Sequence, residues 1–370
     1  MIAITNGKLF IENKLVEGQT ILLGDGAILA IADIAVPDGA DVIDAKGAYV
    51  TPGLLDLQIY GSGGNLFSAY PTAETLAQMD DDLISKGTTG FLACVATNTA
   101  EVVSQAIAAA KDYRPQATGF LGLHLEGPYL NAKRRGAHPE AYIKKATLEE
   151  VKRLIGDADG VVKMMTIAAE LQDDDVLDYL ADQDVVLSLG HSDATFEQAS
   201  AAYARGFSTT THLFNAMSPI HHRSPNLPVA VLNHTTAMAS IIADGRHVDF
   251  EMVNLSHRLM GDRLFLITDA VTPCSIGPYQ HLLDGDKFIT PDGTLSGSSS
   301  TMLQAVKNCV EHCDISFLEA INMATKYPAK LIGIEKLTGE IAINKSADLL
   351  VLDENLNLKE VIFKGEKISI

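Results

Sequence analysis

The chain has 370 residues, 47% of them hydrophobic and 20% charged, which is enough apolar material for a large core and a composition unlike that of a disordered chain. A formal charge of -19 repels both a nucleic acid backbone and an anionic membrane surface, so neither is expected as a partner, and an anionic ligand would need a locally basic pocket. No apolar run is long enough to span a bilayer, MIAITNGKLFIENK lacks the parts of a signal peptide, and Cys94, Cys274, Cys309 and Cys313 are too sparse for a disulfide framework, so cytoplasmic residence is expected.

Residues 1–50 read as short β-type runs broken by Gly and Asp, such as ILLGDGAILAIAD and DVIDAKGAYV. Residues 335–370 repeat that pattern in GEIAINKSADLLVLD and LKEVIFKGEKISI, so the two ends are expected to form one small β-sandwich. Residues 51–334 alternate short apolar runs with helical stretches, the signature of strand-helix units around a parallel sheet. Eight runs stand out, at 54–60, 89–96, 120–126, 162–168, 185–191, 208–214, 238–244 and 264–269. Eight favours closure, so the expected fold is α/β, a (β/α)8 TIM-like barrel, which takes ~250 residues. TLAQMDDDLISKG, EVVSQAIAAAKD, TLEEVKRLIGD and TFEQASAAYARG carry apolar residues at helical spacing between the runs. CVEHC near the end of the barrel also reads as helix, with Cys309 and Cys313 one turn apart and packed rather than metal-bound.

Polar and ionisable residues gather at the C-terminal ends of the runs: Gln58 and Tyr60, Thr97 and Asn98, Glu126, His191, His212, Asp244 and Asp269. In a barrel these positions converge on one mouth, the face on which active sites are built. Glu126, His191 and His212 offer one carboxylate and two imidazoles, the ligand set of a catalytic metal that keeps a position open for water. Asp269 could act as general base and then general acid, or cap a helix entering AVTPC.

TPGLLDLQIYG, HLEGPYLN, GHSDAT, THLFNAM, IIADGRHVD, LITDA and TLSGSSSTM together resemble the N-acetylglucosamine-6-phosphate deacetylase family of the amidohydrolase superfamily, over nearly the whole chain. HLEGP and HLFNAM are the most specific of these motifs. The resemblance implies hydrolysis of the acetamide of N-acetylglucosamine 6-phosphate, in amino-sugar catabolism. It implies Glu126, His191 and His212 as ligands of one divalent metal ion per subunit, zinc first, with Fe2+ or Co2+ also suited. It implies Asp269 as the catalytic acid/base and His138 as a catalytic contact to the acetyl carbonyl. Ala137, His138, Asn215, Ala216, Arg223, His247, Leu295, Ser296 and Gly297 correspond to substrate-binding positions, the last three in a loop. In the resembling family the phosphate contacts matching Arg223 and His247 come from the neighbouring subunit, which implies a homodimer. The residues alone allow plainer readings: His138 as an exposed loop histidine, Arg223 with His221 and His222 as a solvated cluster, and Gly297 with Ser298 to Ser300 as the start of a helix.

One motif departs from the superfamily. Many amidohydrolases carry His-x-His at the end of the first strand for a second metal, whereas this chain has Gln58-Ile59-Tyr60. An amide and a neutral phenol bind such metals poorly, so one ion is expected, and a cyclic-amide hydrolase or deaminase is disfavoured. A non-catalytic scaffold is the alternative of another class, opposed by the intact set Glu126, His191, His212 and Asp269. GSGGNLFSAYP is expected as a flexible loop over the mouth.

Overall fold

In the computed structural model, residues 1–369 are described. Eight parallel strands hydrogen-bond in chain order: β1 (Leu54–Ile59), β2 (Thr88–Ala96), β3 (Phe120–Glu126), β4 (Val162–Ile167), β5 (Val186–Leu189), β6 (Thr209–Thr210), β7 (Met238–Ile241) and β8 (Leu264–Leu266). Seven of the eight expected runs contain one of them and the eighth, 89–96, misses only Thr88 of β2, as buried parallel strands read as apolar runs. The barrel closes just past β8, where Asp269 N donates to Gln58 O at 3.0 Å and Tyr60 N to Ala270 O at 2.9 Å. Closure therefore sets Asp269 beside the polar end of β1.

Two strands are much shorter than their runs. β6 stops at Thr210 and β8 at Leu266, because the chain then turns through left-handed backbone, with φ 33° at His212 and 53° at Asp269. Such torsions are uncommon for residues with a Cβ and end the pleat.

The helices between strands include α1 (Ala73–Ser85), α2 (Ala100–Tyr113), α3 (Leu148–Ala158), α4 (Asp174–Ala181), α5 (Phe196–Ala204), α6 (Asn226–Asn233), α7 (Phe250–Met260) and α8 (Met302–His312). A threonine caps several of them. Thr72, Thr99, Thr147 and Thr195 each accept a backbone N–H from the first turn, and Gln198 completes a capping box on α5. Thr301 caps α8, so Gly297 to Ser300 do not begin that helix. Cys309 and Cys313 are buried in its packing. Among the described residues no helix is long and apolar enough to cross a membrane.

Two further sheets lie at the chain ends, and strands from both ends meet in the second. One holds four strands in the order Ala27–Ala32, Thr20–Gly24, Ile2–Thr5, Asp41–Asp44. The other holds six, with Tyr49–Pro52 antiparallel to Leu349–Leu352 at its centre. Ile4, Leu9, Ile21, Val50, Leu349 and Val351 fill one apolar core between them.

Two segments differ from the expectation of loops at the mouth. GSGGNLFSAYP contains a tight hairpin, Gly61–Ser62 against Asn65–Leu66, and Asp82 of α1 holds it by accepting from Ser62 Oγ and, at 2.8 Å, from Gly63 N. Leu295, Ser296 and Gly297 lie not in a loop but on a strand, Leu295–Ser298, the third of a small antiparallel sheet with Leu282–Asp284 and Lys287–Ile289. Gly297 is required there: its φ is 131°, and a Cβ would lie 2.6 Å from Val271 Cγ1 and 3.0 Å from Asp269 O. The missing side chain lets this sheet approach Asp269.

Candidate active site

Glu126 ends β3 fully buried, and its two carboxylate oxygens face different partners. Oε1 lies 3.2 Å from His191 Nε2, 3.0 Å from His212 Nε2 and 3.0 Å from Gln58 Nε2. The two imidazole Nε2 atoms are themselves 3.1 Å apart. On the other side, Oε2 accepts from the Tyr60 hydroxyl and lies 3.0 Å from His138 Nε2.

These distances test whether a metal fits. His191 Nδ1 lies 2.9 Å from Arg134 O, a carbonyl that can only accept, so the ring's proton sits there and a neutral His191 presents a lone pair at Nε2. Two acceptors, that lone pair and Glu126 Oε1, then face one another at 3.2 Å, an arrangement a cation reconciles. Ligand atoms held ~2.0–2.1 Å from one tetrahedral ion are about 3.3 Å apart, close to the observed triangle. The three residues form a buried metal-capable group with ligand atoms within 4.8 Å of one another.

Local structure aims each ligand. His191 has a left-handed φ of 47°, and Asn131 N donates to its carbonyl oxygen at 2.9 Å. Arg134, which receives the His191 ring proton, is gripped by Asp193 at 2.7 Å, and Asp193 also accepts from Ser218 at 2.6 Å. His212 N donates to Ser240 Oγ at 2.8 Å, while its buried Nδ1 has no hydrogen-bond partner among the described residues. Asp269 Oδ1 accepts from Gln58 Nε2 at 2.8 Å, so one amide links it to the Glu126 carboxylate.

The electrostatics separate the two carboxylates. Burial pushes Glu126 up, but the charges and hydrogen bonds of His138 and His191 outweigh it and hold the group well below the usual range. Burial raises Asp269; His212 opposes the rise and the nearby Glu126 charge adds to it. Burial brings His191 down to about 4, with His138 adding to the effect. For His212 burial also acts downward, but the hydrogen bond to Glu126 prevails and the ring is raised.

Two buried neighbours support the site without facing the metal group. Asp56 accepts from the Thr268 hydroxyl across the closing seam and from Gln58 N on its own strand at 3.1 Å, and burial pushes it up to about 7. His124 is brought down to about 4 by burial and spans Leu57 O and Thr166 Oγ1 at 3.1 and 2.8 Å, a satisfied core histidine.

One cavity unites most of the expected positions. Glu126, His191, His212 and Asp269 line it together with Ala137, His138, Asn215, Ala216, His247, Leu295, Ser296 and Gly297. His138 is buried, so the exposed-loop reading fails. Asp269 caps no helix, since the residues after it are not helical. His247 lines its own chain's cavity, and its Nδ1 pairs with Asp244 at 2.6 Å. Arg223 is not brought to this cavity and stands exposed on its loop.

Sequence reasoning placed Tyr60 at the mouth without its partner and missed Tyr279 and His281 of the wall. Tyr60 was visible at a strand end, but nothing local to it announces its bond to Glu126. Tyr279 and His281 lie in a Gly- and Pro-containing stretch outside the strand-helix repeat, and periodicity carries no signal for them.

A closed parallel barrel with a buried carboxylate and two imidazoles at its C-terminal rim defines a metal-dependent hydrolase, and the chain belongs to the amidohydrolase family, whose family model matches residues 49–368. Within that family it is similar to N-acetylglucosamine-6-phosphate deacetylases, as its motifs suggested. It is 31% identical to that of Haemophilus influenzae, over 98% of each chain. It is 32% identical to that of Homo sapiens, over 99% of this chain and 93% of the human one. Among solved structures, the deacetylase of Pasteurella multocida superposes with a TM-score of 0.94 at 32% identity, over 100% of both chains. A mutant of the Mycobacterium smegmatis enzyme in complex with N-acetyl-D-glucosamine-6-phosphate gives 0.92 at 29% identity, over 100% of this chain and 99% of that one.

Proposed function

We propose that the chain hydrolyses the acetamide of N-acetylglucosamine 6-phosphate to glucosamine 6-phosphate and acetate, a step of amino-sugar catabolism. The observation that carries this reading is the triangle of Glu126 Oε1, His191 Nε2 and His212 Nε2, with sides of 3.0 to 3.2 Å, in a cavity shared with Asp269 and His138. Whole-length similarity to deacetylases of that name supports the substrate.

Glu126, His191 and His212 would hold one divalent ion per subunit; their donor set suits zinc, with iron or cobalt as alternatives. Bound there, the ion supplies an acidified water and a Lewis acid for the amide carbonyl. Asp269 takes the proton of the attacking water and returns it to the departing amine, work that suits a carboxylate raised by burial. His138 donates to the developing oxyanion, a donor fixed before the charge appears. Asn215, Ala216, Leu295, Ser296 and Gly297 hold the sugar, and Ala137 lines the cavity beside His138.

His247 and Arg223 take the phosphate. Arg223 stands outside its own chain's cavity, which supports a homodimer in which it reaches the neighbour's substrate, whereas His247 serves its own chain. We assign residues 51–334 to the catalytic barrel, and residues 1–50 and 335–369 to the two parts of the β-sandwich. Four unpaired cysteines support cytoplasmic residence.

The test is acetate release from N-acetylglucosamine 6-phosphate and from its unphosphorylated parent, by wild type and Arg223→Ala. The expected result is strong preference for the phosphorylated sugar in wild type, reduced in the variant. No acetate from either sugar by metal-loaded wild type would overturn the assignment.

A further inference from the structure

We propose that His281 is a specificity-determining residue whose Nε2 reads a ring hydroxyl of the sugar. The proposal rests on the hydrolytic reading above. His281 lies between β8 and α8, is only 4% exposed, and lines the same cavity as Glu126 and Asp269. Its main chain is fixed by a reciprocal pair of hydrogen bonds with Cys274, at 2.9 and 3.2 Å. Its ring is fixed by Nδ1 against Ser296 Oγ at 3.0 Å, and it stacks on Tyr279 with centroids 6.1 Å apart. Tyr279 is in turn anchored by its hydroxyl to Thr97 O at 2.6 Å, at the end of β2.

Every fixed point leaves one polar atom over. Among the described residues Nε2 of His281 has no hydrogen-bond partner, and the residue lines the cavity. Burial brings the ring to about 4, so at neutral pH it is uncharged and has no Coulombic attraction for a phosphate.

His281 is set apart from the metal group by its contacts. Among the described residues Glu126 is partnered by His191, His212, Gln58, Tyr60 and His138, whereas His281 pairs with Ser296 and packs on Tyr279, a ring whose centroid lies 6.0 Å from that of His138 and 6.1 Å from that of His281. A neutral, rigid donor or acceptor there suits a sugar hydroxyl. A site that hydrogen-bonds a substrate hydroxyl discriminates against the analogue lacking it, because the buried protein atom is then left unpaired.

The experiment compares N-acetylglucosamine 6-phosphate with its 3-deoxy and 4-deoxy analogues, using metal-loaded wild type, His281→Phe and His281→Ala. Wild type is expected to lose about tenfold or more in kcat/KM on one deoxy analogue. Both variants should lose activity on the parent sugar and no longer separate it from that analogue, with wild-type metal content and melting temperature. Three results overturn the proposal: wild type that separates neither analogue, variants that separate them as wild type does, or variants that no longer keep metal and fold. Wild type inactive on every sugar would instead remove the hydrolytic reading, and this proposal with it.

Discussion

His191 Nδ1 lies 2.9 Å from the backbone carbonyl oxygen of Arg134, and that one contact determines which nitrogen of the imidazole is turned towards Glu126. The carbonyl is in turn held in place because Asp193, two residues beyond His191, grips the Arg134 guanidinium at 2.7 Å. Asp193→Ala should therefore loosen the metal without touching it. Lost outer contacts of this kind cost about 10- to 100-fold in metal affinity. Chelator competition on wild type and variant measures the change, and equal affinities would show that Arg134 needs no such support.

Tyr60 holds the other oxygen of the same carboxylate. Removing its hydroxyl in Tyr60→Phe leaves Glu126 Oε2 with His138 as its neighbour and deletes a buried hydrogen bond to a charged group. Such a bond contributes about 1.5–3 kcal/mol. The variant should unfold at lower denaturant in a urea titration of the metal-free protein, and an unchanged midpoint would contradict this account of Tyr60.

Metal affinity should rise with pH through the titration of His212. In the metal-free protein that ring is raised above its ordinary value, mainly by its hydrogen bond to Glu126 acting against burial. Below the raised value a proton occupies the nitrogen that the ion needs; above it the competition ends and affinity levels off. His191, brought down to about 4, adds no competing proton near neutrality. Calorimetric metal binding in buffers of different ionisation enthalpy should record proton release that fades as pH climbs past the His212 value.

Asp269→Asn keeps the volume and a hydrogen-bonding side chain but removes the base. Metal content should stay at the wild-type level while turnover falls by about 100-fold or more. Substantial acetate release by the metal-loaded variant would exclude Asp269 as the acid/base.

Gly297→Ala should destabilise the fold and disturb the site together. A methyl group there would sit 2.6 Å from Val271 Cγ1, on a backbone with φ of 131°. The expected penalty is on the order of 1–3 kcal/mol from the backbone alone. A matching urea midpoint for the variant would show that the strand shifts freely.

Much of this architecture is legible in the chain itself. Parallel strands buried on both faces appear as apolar runs, and a polar residue closing such a run must emerge at the rim, which is why Glu126, His191, His212 and Asp269 could be collected before any contact was known. The small sheet over the mouth was not legible. Its strands, Leu282–Asp284 and Lys287–Ile289, have three residues each, too few to establish an alternating pattern, and Leu295–Ser298 carries a glycine that reads as loop.

The amino-acid order by itself determined the class of fold, the rim on which chemistry collects and the residue types available there, since these follow from local periodicity and from which side chains water excludes. Which atoms meet was decided only by tertiary structure. His191, His212 and Asp269 turn inward on left-handed backbone, with φ of 47°, 33° and 53°. Tyr60 finds Glu126 two strands along the barrel rim, and His281 finds Ser296 within the small sheet. Those torsions and contacts are stabilised by packing from segments remote in the chain, so no local pattern can encode them.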